Sequence, residues 1–261
     1  MNHLIRNIIR TIVPPKLRDI YWWMIKKRKY LKAKALYGSE PKNFCPICQK
    51  YDYFLSYTPR KTANTKVHCP NCLSAERHRL LWIFYQNHTD LFTQLHDVLH
   101  IAAETCFSKR FEDFHGKRYI TADLNNPRAM VKMDITAINY PDESFDIVLC
   151  NHVLEHVLDD IKAMSELFRI LRKNGLAIIT VPLFPEAKTF EDKTIVSEED
   201  RLKFFGSKSH VRRYGQDICE RLQSVGFEVK IFNFKDITSE DNFENMRLLS
   251  DETKEIIYCK K

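Results

Sequence analysis

The sequence predicts an α/β fold built on a mostly parallel sheet, and three observations lead to it. Between Tyr119 and Leu183, apolar runs end on polar residues: YITAD on Asp123, VKMD on Asp134 and FDIVLCN on Asn151. Residues that close the strands of an open parallel sheet lie at its carboxyl edge, where such folds bind ligands. Next, DDIKAMSELFRILRKNG sets Ile161, Met164, Leu167, Phe168 and Leu171 at helical spacing, starting at Asp159 and stopping at Gly175. Finally, LAIITVP is apolar throughout, as a central strand covered on both faces must be.

Three parts follow one another along the 261 residues. The first, residues 1–38, is a basic leader. LIRNIIRTIV places Leu4, Ile5, Ile8, Ile9 and Ile12 at helical spacing until Pro14 and Pro15 stop it. A second helix is expected from Lys16 to Leu36, through Trp22, Trp23 and KKRK. The leader holds ten Lys/Arg and one Asp, a net +9, against 31 basic and 33 acidic residues in the remainder. The chain's net +7 therefore sits in the leader, and the near-neutral remainder argues against a broad basic groove. A basic amphipathic helix with tryptophans fits peripheral contact with an anionic membrane. It equally fits a phosphate-rich partner, or a solvated helix docked on the main domain. The apolar stretch is broken too early for a cleavable signal, and no run of 18 apolar residues occurs. The expected location is cytoplasmic, peripheral to the inner face of the membrane where the leader binds it.

The second part, residues 39–95, contains CPIC, twenty residues, then CPNC. Cys45, Cys48, Cys69 and Cys72 supply the four thiolates of a structural Zn²⁺ site, with no position left open for water. A redox dithiol would need a βαβ setting that is absent here. YDYFLSYTPRKTANTKVH between the pairs reads as a β-hairpin, so the module is expected to be zinc-ribbon-like. LSAERHRLLWIFYQNHTDLF reads as a connecting helix that packs Leu80, Leu81, Ile83, Phe84 and Phe92 inward, with Arg77, His78 and Arg79 near its start read as a solvated face ahead of a contact for an anionic substrate group. Cys106, Cys150, Cys219 and Cys259 are expected to be reduced thiols.

The third part, residues 96–261, starts with strand DVLHIA at 97–102 and strand KRYITAD at 117–123. An acid closing the second strand, about 20 residues after the first turn, holds ribose hydroxyls in nucleotide-binding folds, which selects Asp123. From Tyr119 to Leu183 this part resembles the class I S-adenosylmethionine-dependent methyltransferases, in particular their type 11 group. The resemblance implies a Rossmann-like fold with a seven-stranded, mostly parallel sheet whose last strand, KEIIYCKK, is antiparallel. It places Asp123 and Leu124 at the ribose, Asp134 and Ile135 at the adenine, and Asn151 and His152 at the cofactor. Glu155 or His156 comes nearer the acceptor. The family's first turn carries an acid and three alternate glycines; matched by residue, His100 stands at the acid and Ala102, Glu104 and Cys106 at the glycines. No glycine occurs between Ser39 and His115. Either the turn is rebuilt, with Glu104 facing the cofactor's ammonium group, or only the fold has been kept.

His152, Glu155 and His156 also fit the H-x-x-E-H pattern of inverted zinc peptidases, which needs a long helix carrying both histidines; a strand end is the wrong setting. A histidine near neutrality suits removal of an acceptor proton, and His156 is the first candidate. The polar insert at 184–213 is long enough to be functional. It is read as a substrate lid carrying Glu191, Asp192, Arg201, His210, Arg212 and, just after it, Tyr214, with His210 the second catalytic candidate. The expected activity is methyl transfer to a small or carbohydrate-like acceptor. Its rivals are RNA methylation through the zinc module and a catalytically inactive binding protein.

Overall fold

A computed structural model describes residues 42–56, 66–248 and 255–261, with Pro14 and the helical positions Leu17, Ile20, Met24, Lys27, Arg28, Leu31 and Ala35. The expected first leader helix and the two leader tryptophans lie outside the described residues. No helix among the described residues is long and apolar enough to cross a membrane.

The cysteine module forms two small antiparallel pairs. β1 (Asn43–Cys45) joins β2 (Lys50–Asp52), and β3 (Leu55–Ser56) joins β4 (Lys66–His68). Then comes α1 (Glu76–Asn87), which leads into the main sheet. That sheet has seven strands in the order β7-β6-β5-β8-β9-β13-β12. Its members are β5 (Val98–Ile101), β6 (Tyr119–Asp123), β7 (Val131–Lys132), β8 (Phe145–Asn151), β9 (Leu171–Thr180), β12 (Glu228–Asn233) and β13 (Glu255–Lys260). The first five strands run parallel, while β13 lies antiparallel between β9 and β12. This is the Rossmann-like arrangement that the resemblance implies. The chain reverses direction across the sheet between β5 and β8, so the switch point lies at the carboxyl ends of those strands.

Alternation along the strands gives each face its own core. Ile147, Leu149 and Ile178 pack against α1 and α2 (Thr105–His115), through Leu81, Phe84, Phe107 and Phe111. Val148, Cys150, Ala177 and Ile179 pack against α3 (Asp160–Ile170) and α5 (Ile218–Ser224) on the other face. Cys45, Ile47, Phe54 and Cys69 belong to the first of these cores, so the cysteine module packs directly on α1 and the sheet.

Two local expectations change. The helix expected to stop at Gly175 ends at Ile170, and Leu171 already begins β9, paired with Phe145. Long-range partners override the periodicity: Leu171 is fully buried, and Arg172 bridges Asp97 at 2.9 Å and Asp146 at 2.8 Å. Gly175 serves close approach instead, because a Cβ there would sit 2.8 Å from the carbonyl of Arg172 and 3.0 Å from that of Asp146. The expected solvated face of α1 is also wrong. Arg79 is fully buried, donating from Nε to Met246 O (2.6 Å), from Nη1 to Ser74 O (2.9 Å) and from Nη2 to Arg247 O (2.5 Å). It thereby ties α1 to the end of α7 (Glu240–Met246), which follows the short α6 (Phe234–Ile237).

Candidate functional site

The turn after β5 is built without glycine. Ala102 adopts φ +50°, the left-handed conformation that usually calls for glycine, while its N–H remains on Ala122 O at 2.8 Å. The chain then turns through Glu104 into α2. His100, fully buried inside β5, lies between Tyr119 and Glu104: its Nδ1 is 2.8 Å from Tyr119 Oη and its Nε2 is 2.7 Å from Glu104 Oε2. One tautomer satisfies both contacts, with Tyr119 O–H donating to Nδ1 and Nε2–H donating to Glu104. Burial pushes the Glu104 carboxyl up, but the hydrogen bond from His100 leads the contacts that outweigh it and hold the carboxyl below its usual range. His100, which stands where the family has its acid, thus orients an ionised Glu104.

The neighbouring strand ends carry the other expected residues. Asp123 Oδ1 accepts the N–H groups of Asn125 and Asn126, both at 2.7 Å, and Leu124 beside it is exposed. Asp134 Oδ1 accepts Thr136 N–H at 2.9 Å and its hydroxyl at 2.8 Å, which lowers the exposed carboxyl's pKa. Each acid therefore caps a turn and keeps its second oxygen out of that turn bond. Ile135 is buried. Asn151 is nearly buried, and its amide is engaged: Nδ2 donates to Tyr85 Oη and Oδ1 accepts from Thr180 Oγ1, both at 3.2 Å. These bonds brace the strand end. His152 follows at φ +53° and binds Thr180 O through its own N–H. Strained backbone of this kind concentrates at ligand sites.

Residues 154–156 form a single 3₁₀ turn, so the long helix that the peptidase pattern requires is absent there. The insert is structured. β10 (Phe190–Glu191) pairs with β11 (Arg212–Arg213), and α4 (Glu198–Phe205) lies between them. Arg212 and Tyr214, expected to face the acceptor, are buried braces. Arg212 donates to the carbonyls of Leu154, Val157 and Leu158 and to Glu191; Tyr214 donates to Asp160 Oδ2 at 2.7 Å. Gly215 lets the two limbs meet, since a Cβ there would come within 2.5–2.6 Å of the backbone at Glu186 and Lys188. The insert's other polar candidates do not converge with them: Asp192 closes a turn with Thr194, and Arg201 Nε reaches Ile195 O. His156 and His210, 54 positions apart, are brought ring to ring with centroids 4.8 Å apart. Burial lowers the His210 pKa, which favours the neutral form.

Sequence reasoning missed His78. Its Nδ1 accepts Ala75 N–H at 3.0 Å, and its ring meets Phe107. Burial, then the Arg77 charge, pushes its pKa down to about 3. The charges of Glu104 and His152 act on it in opposite directions, so α1 contributes to the same edge of the sheet. A helix-period reading of α1 gives no sign of this.

The four module cysteines converge. Cys45 and Cys72 sulfurs lie 3.5 Å apart, Cys48 and Cys69 sulfurs 3.6 Å, and all four fall within 4.8 Å of one another. A tetrahedron with Zn–S bonds of about 2.3 Å has edges of about 3.8 Å, close to the two shortest of these separations. A cavity of about 610 Å³ lies at the opposite, amino end of the strands, lined by His88, Asp146, Lys173 and Tyr258. It is remote from all the residues above.

Comparison with known proteins bears on the fold. Residues 84–179 match the family described as "Methyltransferase domain". An uncharacterized methyltransferase, YcgJ of Bacillus subtilis (strain 168), is 32% identical over 76 residues, 29% of this chain. The match spans only 28% of that relative's length. Among solved structures, an S-adenosylmethionine-dependent methyltransferase from Mesorhizobium loti superposes with a TM-score of 0.50 at 12% identity, covering 72% of this chain and 100% of the other. The YcgJ structure gives a TM-score of 0.47 at 18% identity, covering 71% and 98%. The chain thus has a Rossmann-like methyltransferase fold, and residues 84–179 are similar to the methyltransferase domain family.

Proposed function

We propose that this chain is an S-adenosylmethionine-dependent methyltransferase with a rebuilt first turn, acting on a small or carbohydrate-like acceptor. The observation that carries the reading is the His100–Glu104 pair. A buried histidine holds an ionised carboxylate at the switch point, beside a left-handed Ala102 that does the backbone work of a glycine. A fold kept without its ligand would not retain a buried charge and a strained residue together there. When bound, S-adenosylmethionine supplies a methyl group activated by its sulfonium. In this reading Glu104 meets the ammonium group, Asp123 and Leu124 the ribose, and Asp134 and Ile135 the adenine. Ala102, Asn151 and His152 shape the backbone around it. His156 and His210 stand on the acceptor side, where a proton is to be taken. The near-neutral main domain and the polar insert favour a small polar acceptor over nucleic acid.

Cys45, Cys48, Cys69 and Cys72 are read as ligands of a structural Zn²⁺ that fastens the module to α1. The leader is read as a peripheral contact with anionic membrane, supported by exposed Leu17, Ile20, Met24 and Leu31 at helical positions within a basic segment. Sedimentation with anionic vesicles, with and without residues 1–38, tests that contact.

The deciding experiment for the activity is calorimetric titration with S-adenosylmethionine and S-adenosylhomocysteine, on the wild type, Asp123→Ala and Glu104→Gln. Micromolar binding that weakens at least tenfold in both variants supports the reading. If the folded wild type does not bind at millimolar ligand, the chain is a binding protein on an inactive fold.

A further inference from the structure

Glu155 is the least explained group in the molecule. Its side chain is 1% exposed, yet neither carboxylate oxygen has a hydrogen-bond partner. His152 Nδ1 comes within 3.3 Å of Oε1 but lacks the alignment of a hydrogen bond. A buried carboxylate with both oxygens unmet costs several kcal/mol unless something cationic completes it. Two imidazoles stand beside it. One ligand atom from each of Glu155, His156 and His210 lies within 4.8 Å of the others.

In both histidines Nδ1 is taken up by a backbone carbonyl. His156 Nδ1 donates to Ser209 O at 3.0 Å, and His210 Nδ1 donates to Phe205 O at 3.3 Å. A carbonyl only accepts, so each ring carries its proton on Nδ1 and keeps the lone pair on Nε2. That outer hydrogen bond to a backbone carbonyl is how metal-bound histidines are usually held. The three side chains also cannot drift apart, because Val211 N–H binds Glu155 O at 2.9 Å and fastens the far limb of the insert to the 3₁₀ turn.

From this geometry we infer that Glu155, His156 and His210 form a second metal site, for a divalent first-row transition ion such as Zn²⁺. Two imidazoles and one carboxylate make the donor set of sites that keep a position open. Tetrahedral bonds of about 2.0–2.1 Å set ligand atoms about 3.3 Å apart, and the three atoms lie within 4.8 Å of one another before any ion draws them in. This site is separate from the four-thiolate cluster and has a different chemistry. It does not depend on methyl transfer. Where both hold, the ion, and no longer a free imidazole, lowers the pKa of an acceptor hydroxyl placed on its open position.

The test is Co²⁺ titration of the full chain, stripped of metal and compared with His156→Ala, His210→Ala and Glu155→Gln, with folding checked by circular dichroism. Thiolate-to-cobalt charge transfer reports the cysteine cluster. Visible d–d absorption without thiolate charge transfer reports the nitrogen–oxygen site. The expected result is one such equivalent in the wild type, weakened in every folded variant by more than the roughly 10- to 100-fold that loss of an outer-shell partner costs. His156 is exposed, so its truncation leaves the core intact and keeps the test open if Glu155→Gln does not fold. Cobalt uptake confined to the thiolate signal overturns the inference. So does an extra equivalent that His156→Ala leaves unchanged.

Discussion

Asp160 holds the insert against the main domain, and its removal can be worked through from the contacts. The carboxylate is 3% exposed at its side chain and accepts Tyr214 Oη at 2.7 Å, Arg221 Nε at 3.0 Å and an Arg221 Nη at 2.7 Å; an Arg212 Nη lies 3.5 Å away. Three bonds to a charged acceptor sum to about 4.5–9 kcal/mol at roughly 1.5–3 each. Both arginines keep Glu191, and Arg212 keeps three carbonyls, so the net loss in Asp160→Ala falls to the about 3–5 kcal/mol typical of breaking a buried pair. At about 2–4 °C per kcal/mol for a chain of this size, the melting temperature drops by about 6–20 °C. The loss also depends on pH with a definite sign. Burial raises the Asp160 pKa, but Arg221, Tyr214 and Arg212 outweigh it and hold it below the usual range. A depressed folded pKa means that this stabilisation is complete above the unfolded value of about 4 and fades as pH falls through the folded one. Urea denaturation of wild type and Asp160→Ala at neutral pH and on acidification measures both effects. A loss under about 1 kcal/mol at neutral pH, or a gap between the two proteins that does not narrow in acid, refutes the reasoning.

Three further outcomes are expected. Ala102→Gly relieves a left-handed residue worth about 1–2 kcal/mol and returns about 0.4–1 kcal/mol through the unfolded chain. Thermal melting should therefore stay level or rise, and a fall of more than about 1 kcal/mol would contradict the backbone argument. Arg79→Met strands three carbonyls and removes a cation stacked 4.5 Å over Phe54, for a loss of about 3 kcal/mol or more by denaturant titration. Chelation of metal from the cysteine cluster lowers the melting temperature, because Cys45 and Cys69 share a core with α1; elemental analysis showing no zinc in the purified chain, with melting unaffected by chelator, rules out the structural ion.

What the sequence made legible was local or periodic. Apolar runs closed by Asp123, Asp134 and Asn151 mark the carboxyl edge of the sheet, and the paired C-x-x-C spacing marks the sulfur cluster before any coordinate is known. What escaped was fixed by partners far along the chain. Leu171 and Arg172 leave the helix because Phe145, Asp97 and Asp146 claim them. Arg79 looks like one more charge in ERHR, yet it is buried by carbonyls 167 and 168 positions away. Arg212 and Tyr214 were legible as polar residues of an insert, but not as its braces, since Asp160 lies more than 50 positions upstream. The role of His100 escaped for a different reason. Matching it to an acid in the family pattern hid the fact that its partner, Glu104, is one turn onward.

These two kinds of residue divide the candidate site itself. The half proposed for the cofactor is local: His100, Ala102 and Glu104 lie within five residues, and Tyr119 follows on the adjacent strand. Its geometry survives whatever happens to the insert. The acceptor half is assembled at long range, with Glu155 and His156 on one side and His210 on the other, and it exists only while the insert is held down. The clamp of Asp160, Arg221, Arg212 and Glu191 does that holding, two residues from His210. Partial loosening of the clamp therefore separates the two: the His100–Glu104 pair persists while the Glu155–His156–His210 set opens. On the proposed reading, acceptor choice and any bound ion then depend on the insert, while the strand ends hold the part assigned to the methyl donor.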